Sequence, residues 1–427
     1  MRSEKIIVTY RIKPTKGLKL HEAAQRMCAE QSTGFWRLEL HEREELKDFR
    51  GEVREVDHEQ KIVKLAYPVK NLDPKTDGIT GLLNYITGDV LDSKYIESVR
   101  VLDIELPRSF VEAFPGPQFG IKGIRNLLGV YDRPLVGVII KPSFGLTPEK
   151  IAAICKKVAE AGADYIKDDE KLMNPPYCKI EKRLNAVQKA LREAKKKTGR
   201  EVLYGINISS RPNRLLKLAR ELVKRGANML MVTIVTAGFD IVAALAEDVE
   251  VNVPIYAHRT MHAAFTRYKF HGIDMRILIK LTRIAGADFQ HCGAIVGTHA
   301  VKDTAEVARR INIMTKEYFG RKPSFPTLSG GITPGNVEAN LKPLSEYKFW
   351  VPNPKDIAFS VGTAVYAHPD GMVAGVKAMV DAVRLISDGY STPEATKKSK
   401  KLKRWVESFG WLPPKFMEEM EKEEIEK

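Results

Sequence analysis

Eight short apolar runs recur along the sequence from residue 136 onward, and a stretch with helical periodicity follows each of them. The runs are Val136–Ile140, Tyr165–Lys167, Leu203–Ile206, Met229–Val232, Ile255–His258, Asp288–Gln290, Pro326–Ser329 and Ile357–Ser360. Near-continuous apolar strands that alternate with helices are typical of parallel sheets buried on both faces. Eight such units within about 260 residues predict a (β/α)₈ (TIM) barrel. An open doubly wound sheet is less favoured, because no G-x-G-x-x-G follows any of these runs.

The residues before this pattern predict a smaller domain. Strand-like runs (Lys5–Ile12, Val63–Ala66, Ser98–Leu106) mix there with helix-like ones (Leu18–Glu30, Gly81–Thr87). The mixture predicts an α+β (ferredoxin-like) domain over residues 1–125, ending at the Pro/Gly-rich stretch 114–120. The barrel, with a carboxyl-terminal helical tail, then occupies residues 126–427. A length of 427 residues fits two domains.

The charge balance leaves several kinds of partner open. Lys and Arg number 69 against 54 Asp and Glu, an excess that can attract nucleic acid, a membrane surface or a phosphorylated metabolite. The densest basic run, at 397–404, precedes an acidic tail, which is typical of the solvated face of a terminal helix. We therefore expect no nucleic-acid partner.

The sequence also predicts a cytoplasmic protein with no membrane partner. No apolar run reaches the ~18 residues of a membrane helix. The first residues lack the apolar core of a secretory signal. Four cysteines without CxxC spacing indicate reduced thiols and no zinc site.

A barrel of this kind places its chemistry at the carboxyl ends of the strands. Polar residues end strand after strand in this sequence, which predicts an active site at that rim. They are Lys141, Lys167 to Glu170, Asn207, Thr233, His258, Arg259, His291, Ser329 to Gly331, Ser360 and Gly362.

Lys167, Asp169 and Glu170 form the most informative cluster. Two carboxylates at one strand end suit a hard cation such as Mg²⁺. A lysine ammonium is itself a cation, but carbamylation by CO₂ would convert Lys167 into an anionic oxygen ligand and complete a three-anion site. The alternative is a Lys–Asp ion pair that caps the next helix.

A second cluster contains His258, Arg259 and His291. Arg beside His can bind phosphate through charge-assisted hydrogen bonds, and a His can transfer protons near neutral pH. A hydrogen-bonded structural histidine in the barrel is the alternative for each of these His residues.

Two further features fit a phosphorylated substrate. Ser329-Gly330-Gly331 offers a hydroxyl and backbone N–H groups, as phosphate-binding loops do, although the same sequence also serves as a plain turn. Lys141, before Pro142, can be a desolvated general base or a second phosphate contact.

These motifs, together with two nearer the amino terminus, resemble the motifs of the large subunit of ribulose-bisphosphate carboxylase (RuBisCO), and those of the archaeal forms most of all. The matching motifs are Ile140-Lys141-Pro142, Lys167-Asp-Asp-Glu170, His258-Arg-Thr-Met-His262, His291, Ser329-Gly-Gly331, Glu30-Gln-Ser-Thr-Gly-Phe-Trp36 and Gly116-Pro-Gln-Phe-Gly-Ile121. The resemblance implies an amino-terminal α+β domain on a barrel. It also implies a homodimer, or a higher assembly of dimers, whose active site the partner's amino-terminal domain completes.

The resemblance also implies residue roles. Lys167 resembles the carbamylated ligand, with Asp169 and Glu170 completing the Mg²⁺ site. Lys141 resembles a lysine of proton transfer, and His258 a substrate-contacting histidine. Arg259, His291 and Ser329, beside Gly330 and Gly331, resemble a pocket for a substrate phosphate. Glu30 resembles the residue that one subunit contributes to the active site of its dimer partner.

Departures from the carboxylases shape the expected function. Ser143 stands where the carboxylases have a second lysine, and Thr298 stands where they have the lysine of the lid loop. Asp89 replaces their metal-site asparagine and Phe35 a threonine. Ser360 and Val361 replace two of their glycines. Asp89 can act as an extra acid or base, or repel substrate anions. Side chains in place of the glycines are expected to hinder close approach of phosphate to the backbone, and Thr298 cannot supply the lid charge.

We therefore expect a RuBisCO-like (form IV) Mg²⁺-dependent enolase or isomerase that acts on a small phosphorylated keto-sugar and does not fix CO₂. One alternative is a divergent archaeal ribulose-bisphosphate carboxylase. Another is a non-catalytic barrel that binds a phosphorylated metabolite.

Overall fold

The computed structural model of the protein describes residues 4–35 and 37–411. Its amino-terminal part contains the strands β1 (Lys5–Pro14), β2 (Glu52–Asp57), β3 (Ile62–Pro68) and β4 (Ile96–Glu105) and the helices α1 (Leu20–Thr33), α2 (Leu38–His41) and α3 (Gly78–Thr87). These strands form an antiparallel sheet in the order β4-β1-β3-β2. With α1 after β1 and α3 before β4, this is the β-α-β-β-α-β arrangement of ferredoxin-like domains. The prediction of an amino-terminal α+β domain is confirmed.

The strand β1 shows why this sheet forms. Alternate residues, from Ile6 to Ile12, are buried, and those between them are partly exposed. A period of two places one face of a strand against a core and the other toward solvent. By contrast β2, Glu-Val-Arg-Glu-Val-Asp, has no buried residue, so its apolar alternation is too weak to predict a strand.

Two helices, α4 (Arg108–Glu112) and α5 (Gly120–Leu128), lead into a closed parallel barrel. Its strands are β5 (Leu135–Ile139), β6 (Tyr165–Lys167), β7 (Leu203–Asn207), β8 (Met229–Thr233), β9 (Ile255–His258), β11 (Phe289–His291), β12 (Phe325–Leu328) and β13 (Ala358–Val361), and the two-residue strand β10 (Gly272–Ile273) lies outside the barrel. The predicted eight-stranded barrel is confirmed, and the predicted strands differ from these by a residue or so at their ends.

Helices cover the outside of the barrel. They are α6 (Pro148–Glu160), α7 (Ile180–Thr198), α8 (Pro212–Lys224), α9 (Ile234–Ala237), α10 (Asp240–Glu247), α11 (Ala263–Thr266), α12 (Met275–Ala285), α13 (Thr304–Thr315), α14 (Val337–Leu341), α15 (Thr363–Tyr366), α16 (Met372–Ser387), α17 (Thr392–Lys398) and α18 (Lys400–Phe409). The acidic tail that the sequence predicts as helical lies outside the described residues. Within residues 4–35 and 37–411, no helix has both the length and the apolar character needed to cross a bilayer.

Large aromatic side chains fill the barrel interior. The ring of Phe289 lies 5.7 Å from that of Tyr256 and 5.3 Å from that of Phe325, measured between centroids, and all three side chains are fully buried. The barrel is therefore a packed core, and only its rim is open for chemistry.

Strand pairing, a helix cap and ion pairs such as Arg100–Asp274 and Lys280–Asp103 attach the amino-terminal domain to the barrel. The strand β10 pairs in parallel with β4, which extends the amino-terminal sheet by a piece of the barrel domain. The Asp240 carboxylate accepts hydrogen bonds from the backbone N–H groups of Ile79 and Thr80, both at 2.8 Å. It thus satisfies donors at the start of α3 as a capping residue would, although it belongs to the other domain.

Candidate active site at the carboxyl rim of the barrel

Lys167, the last residue of β6, is fully buried, and its Nζ donates to the Asp168 carbonyl oxygen at 3.0 Å. Burial lowers the pKa of Lys167 to about 8, against the opposing effect of Glu170 and Asp169. Much of its amine is therefore uncharged in mildly alkaline solution, which makes it a nucleophile.

Asp169 and Lys141 form the closest charged pair at the rim. The Lys141 Nζ lies 2.6 Å from Asp169 Oδ2, and it also donates to Ser143 Oγ at 3.3 Å. Burial opposes ionisation of Asp169, but the hydrogen bonds from Lys141 and the Lys171 N–H hold its pKa below the usual value. Tyr366 fixes the end of β5 beside them, since its hydroxyl accepts from the Lys141 N–H and donates to the Ile139 carbonyl.

Glu170 lies between this pair and the histidines. Its Oε2 is 3.7 Å from His258 Nε2, and its carbonyl accepts from the Asn207 amide at 2.9 Å. His258 Nδ1 accepts from the Thr260 N–H, so the ring proton is on Nε2, facing Glu170. Burial, and then Lys167 and Arg259, lower the pKa of His258 well below its usual value, so this ring is neutral at physiological pH.

Asp168 points away from the rim, as strand alternation requires between two residues that face it. It is fully buried, accepts hydrogen bonds from Tyr204 Oη at 2.6 Å and the Asn207 N–H at 3.0 Å, and forms an ion pair with Arg183, whose Nη2 is 3.0 Å away. Arg183 also donates to the Met173 carbonyl, which fixes the loop after Glu170. Sequence reasoning missed Tyr204 and Arg183, because neither stands at a strand end or in a motif.

His291 lies in the middle of a hydrogen-bonded row. Its Nδ1 is 2.5 Å from Ser329 Oγ, and its Nε2 is 3.1 Å from the Tyr256 hydroxyl. Burial, followed by His258 and Arg259, lowers the pKa of His291 well below its usual value. The ring of His258 meets it edge-on at 4.7 Å. Sequence reasoning missed Tyr256, which lies two residues before His258 and was assigned only to the strand.

Gly330 and Gly331 both have left-handed backbones, with φ of 99° and 92°. A Cβ on Gly331 would lie 2.1 Å from the backbone nitrogen of Thr298, and the His299 N–H donates to the Gly330 carbonyl. Because neither residue has a Cβ, the loop after β11 can pack directly on the backbone of Gly330 and Gly331. Their role in phosphate binding stays a prediction.

Glu30 and Asp89 lie together in the amino-terminal domain. The Ser93 hydroxyl lies within hydrogen-bond distance of both Glu30 Oε2 (3.3 Å) and the Asp89 carbonyl (3.0 Å), and the Tyr95 hydroxyl donates to Glu30 Oε2 at 2.6 Å. Within the described residues of one chain, neither side chain makes a hydrogen bond or ion pair with the barrel cluster. A single chain therefore brings together the barrel residues of the predicted site but not these two.

The sequence model described as the ribulose bisphosphate carboxylase large chain, catalytic domain, matches residues 120–411, and the model of its N-terminal domain matches residues 1–110. The chain belongs to this family. Ribulose bisphosphate carboxylases from Archaeoglobus fulgidus and Pyrococcus abyssi are each 33% identical to it, over 97% and 96% of this chain and 96% and 95% of theirs.

Solved structures of RuBisCO agree with this assignment. The octameric enzyme from Pyrococcus horikoshii OT3 superposes with a TM-score of 0.85 and 32% identity, over 95% of this chain and 94% of that one. The dimeric archaeal enzyme from Hyperthermus butylicus gives 0.84 and 31%, over 96% of each chain. A RuBisCO-like protein from Alicyclobacillus acidocaldarius gives 0.80 and 29%, over 95% and 99%.

The expectation of an enolase or isomerase that does not fix CO₂ is therefore wrong. Full-length relatives at 30–33% identity carry the name ribulose bisphosphate carboxylase, which supports the carboxylase alternative. The structure shows why two departures misled. Ser360 and Val361 are only 2% and 0% exposed, so neither side chain fills the open cleft. As successive strand residues they point to opposite faces, Ser360 with Ala358 into the barrel interior and Val361 into the core around it.

Proposed function

We propose that the protein is a ribulose-bisphosphate carboxylase of the kind found in archaea. The observation that carries this proposal is the similarity to archaeal carboxylases along nearly the whole of both chains. The rim supports it, because a lysine, two carboxylates, two histidines and an arginine follow or end three strands of the barrel at the same rim.

We further propose Mg²⁺ as the cofactor, held by Asp169, Glu170 and a carbamate on Lys167. Among the described residues, no three His, Cys, Asp or Glu side chains are grouped to hold a metal. The two carboxylates therefore need a third anionic donor, and Lys167 is the adjacent side chain that can become one. The donor set fits a hard cation once that carbamate has formed. When bound, Mg²⁺ would supply Lewis-acid polarisation of the substrate oxygens.

The chain's own residues have distinct roles in this proposal. Lys141 holds a proton at Nζ beside the reacting carbons and can pass it on, since Asp169 keeps the ammonium in place. The neutral His258 presents its Nε2–H as a hydrogen-bond donor to a substrate oxygen. Arg259, His291 and Ser329 bind one phosphate, and Gly330 and Gly331 shape the loop beside it.

We propose that two copies of the chain form the working unit. In the described part of one chain, Glu30 and Asp89 make no hydrogen bond or ion pair with the barrel cluster, so a partner's amino-terminal domain would have to bring them to the rim. The solved relatives include a dimer and an octamer, which supports a homodimer or an assembly of dimers.

Incorporation of labelled bicarbonate into acid-stable product, with ribulose bisphosphate and Mg²⁺, tests the proposal. We expect incorporation that depends on both. Ligand-induced protection of the fold without turnover would instead support a non-catalytic binding barrel, and absence of both would overturn the proposal.

A further inference from the structure

Two arginines flank Gly293, at the start of the loop that follows β11. A Cβ built on Gly293 would lie 3.4 Å from Arg310 Nη1 and 3.5 Å from Arg259 Nη1. Arg259 comes from the end of β9 and Arg310 from α13, so the fold brings two guanidinium groups from distant parts of the chain to one backbone position.

The surroundings of Arg259 are cationic. Among the described residues it makes no hydrogen bond or ion pair with a carboxylate. Burial, and then Arg310, lower its pKa to about 10. Burial, followed by Arg259, Arg310 and His299, also lowers the pKa of His262 to about 3. Four basic side chains thus converge, and within residues 4–35 and 37–411 no carboxylate pairs with Arg259.

Glu306 is the carboxylate that contacts Arg310, and it does not neutralise the cluster. Its Oε1 accepts from Arg310 Nε at 2.9 Å, but the same carboxylate lies 3.8 Å from Arg276 and 3.6 Å from Arg309. Glu306 is therefore shared among three arginines. It holds Arg310 by Nε, and Nη1 donates to the Cys292 carbonyl at 3.2 Å. Nη2 makes no hydrogen bond among the described residues and remains available to a ligand.

We propose that Arg310 is a second phosphate-binding residue, and that Arg259 and Arg310 together make this end of the cleft selective for a phosphate dianion over a carboxylate. Two guanidinium groups beside one backbone position match a tetrahedral dianion, which has more acceptor oxygens and more charge than a carboxylate. The inference rests on the proposed function, because it takes the Arg259 pocket to receive a substrate phosphate.

Calorimetric titration of the full chain with inorganic phosphate at about pH 8 tests it without requiring turnover. The binding that Arg259→Gln removes defines the site. We expect Arg310→Gln to weaken that binding by about tenfold or more, as loss of a charge-assisted hydrogen bond does. Arg309→Gln is the matched control, since it removes a neighbouring charge that also pairs with Glu306, and it should stay within about twofold. Acetate should bind weakly and respond little to Arg310→Gln.

Wild-type affinity in Arg310→Gln, or an equal loss in Arg309→Gln, overturns the inference. If Arg310→Gln fails to fold, Arg310→Lys decides, because it keeps the charge but loses the planar donor fork. We expect an affinity about threefold or more below wild type in that variant, and unchanged affinity overturns the inference. Arg310-dependent phosphate binding without carboxylation would leave the inference standing and remove only the proposed function.

Discussion

The two halves of the rim treat charge in opposite ways. Around Lys167, each carboxylate has a partner nearby: Asp168 has Arg183, Asp169 has Lys141, and Glu170 faces His258. Around Arg259 the basic groups outnumber the acids. A paired cluster holds its geometry before any ligand arrives, whereas an unpaired cationic pocket is costly to keep and favours an anionic ligand. The half proposed to hold the metal is thus organised by the protein itself, and the half proposed to bind phosphate keeps basic groups without acidic partners.

The largest expected effect comes from breaking the paired half. Asp169→Ala removes a proposed metal ligand and leaves Lys141 without its ion-pair partner. We expect Mg²⁺-dependent carboxylation to fall on the order of a thousandfold, measured by initial rates across a Mg²⁺ titration. Glu193→Gln, at an exposed ion pair on α7, should not change the rate. Full activity in Asp169→Ala would contradict the metal assignment.

Breaking the unpaired half should affect binding more than turnover. We expect Arg259→Ala to raise KM for ribulose bisphosphate by about ten- to a hundredfold, because a charge-assisted hydrogen bond is lost. KM for an unphosphorylated analogue should change little. Steady-state kinetics on both compounds, with the exposed Arg108→Ala as control, measure the difference. Equal effects on the two compounds would place the phosphate elsewhere.

The pKa of Lys167 gives the comparison a pH dependence. Since burial lowers this pKa to about 8 from 10.5, the uncharged amine increases as pH rises and levels off above about 8. At a fixed concentration of dissolved CO₂, we expect the initial rate of carbamate formation to increase severalfold from about pH 7 to about pH 8 and to level off by about pH 9, because the uncharged amine is the nucleophile. Carbon-13 NMR with labelled CO₂ measures this rate, and Lys167→Met should lack the signal. A rate that still rises steeply above about pH 9 would indicate an ordinary, exposed lysine.

The smallest effect concerns the loop over the phosphate half. Gly331→Ala adds left-handed strain of roughly 1–2 kcal/mol and pushes the Cβ into Thr298. Gly389→Ala has a similar φ, 94°, but open space around the new Cβ, so it controls for strain alone. We expect both variants to lose stability in chemical unfolding, and Gly331→Ala to lose more, because only its Cβ also meets backbone atoms. Faster proteolysis within residues 297–302 should occur in Gly331→Ala only, and equal proteolysis would show that the loop does not depend on this contact.

The sequence predicts the barrel well because its strands are buried on both faces, and a buried parallel strand reads as an uninterrupted apolar run. Strand ends follow from the same pattern, which is why Lys167, His258 and His291 could be placed at one rim. The strand β2 could not be predicted, since none of its residues is buried.

The contacts that hold the site were beyond the sequence. Tyr204 lies on another strand and Arg183 on a helix, and both contact Asp168. Local sequence patterns do not predict contacts between residues that are this far apart in the chain. The misjudged function has a similar cause. A motif states which residue replaces a glycine, but not which way its side chain points, and Ser360 points into the core.

The short pairing of β10 with β4 has a mechanical consequence. A piece of the barrel domain completes the amino-terminal sheet, and Asp240 caps α3 across the same junction. Swinging the amino-terminal domain away from its own barrel would break a strand pair and uncap a helix together. A hinge motion at this junction would therefore cost the strand pair and the helix cap at the same time, so we expect the two domains of one chain to move together.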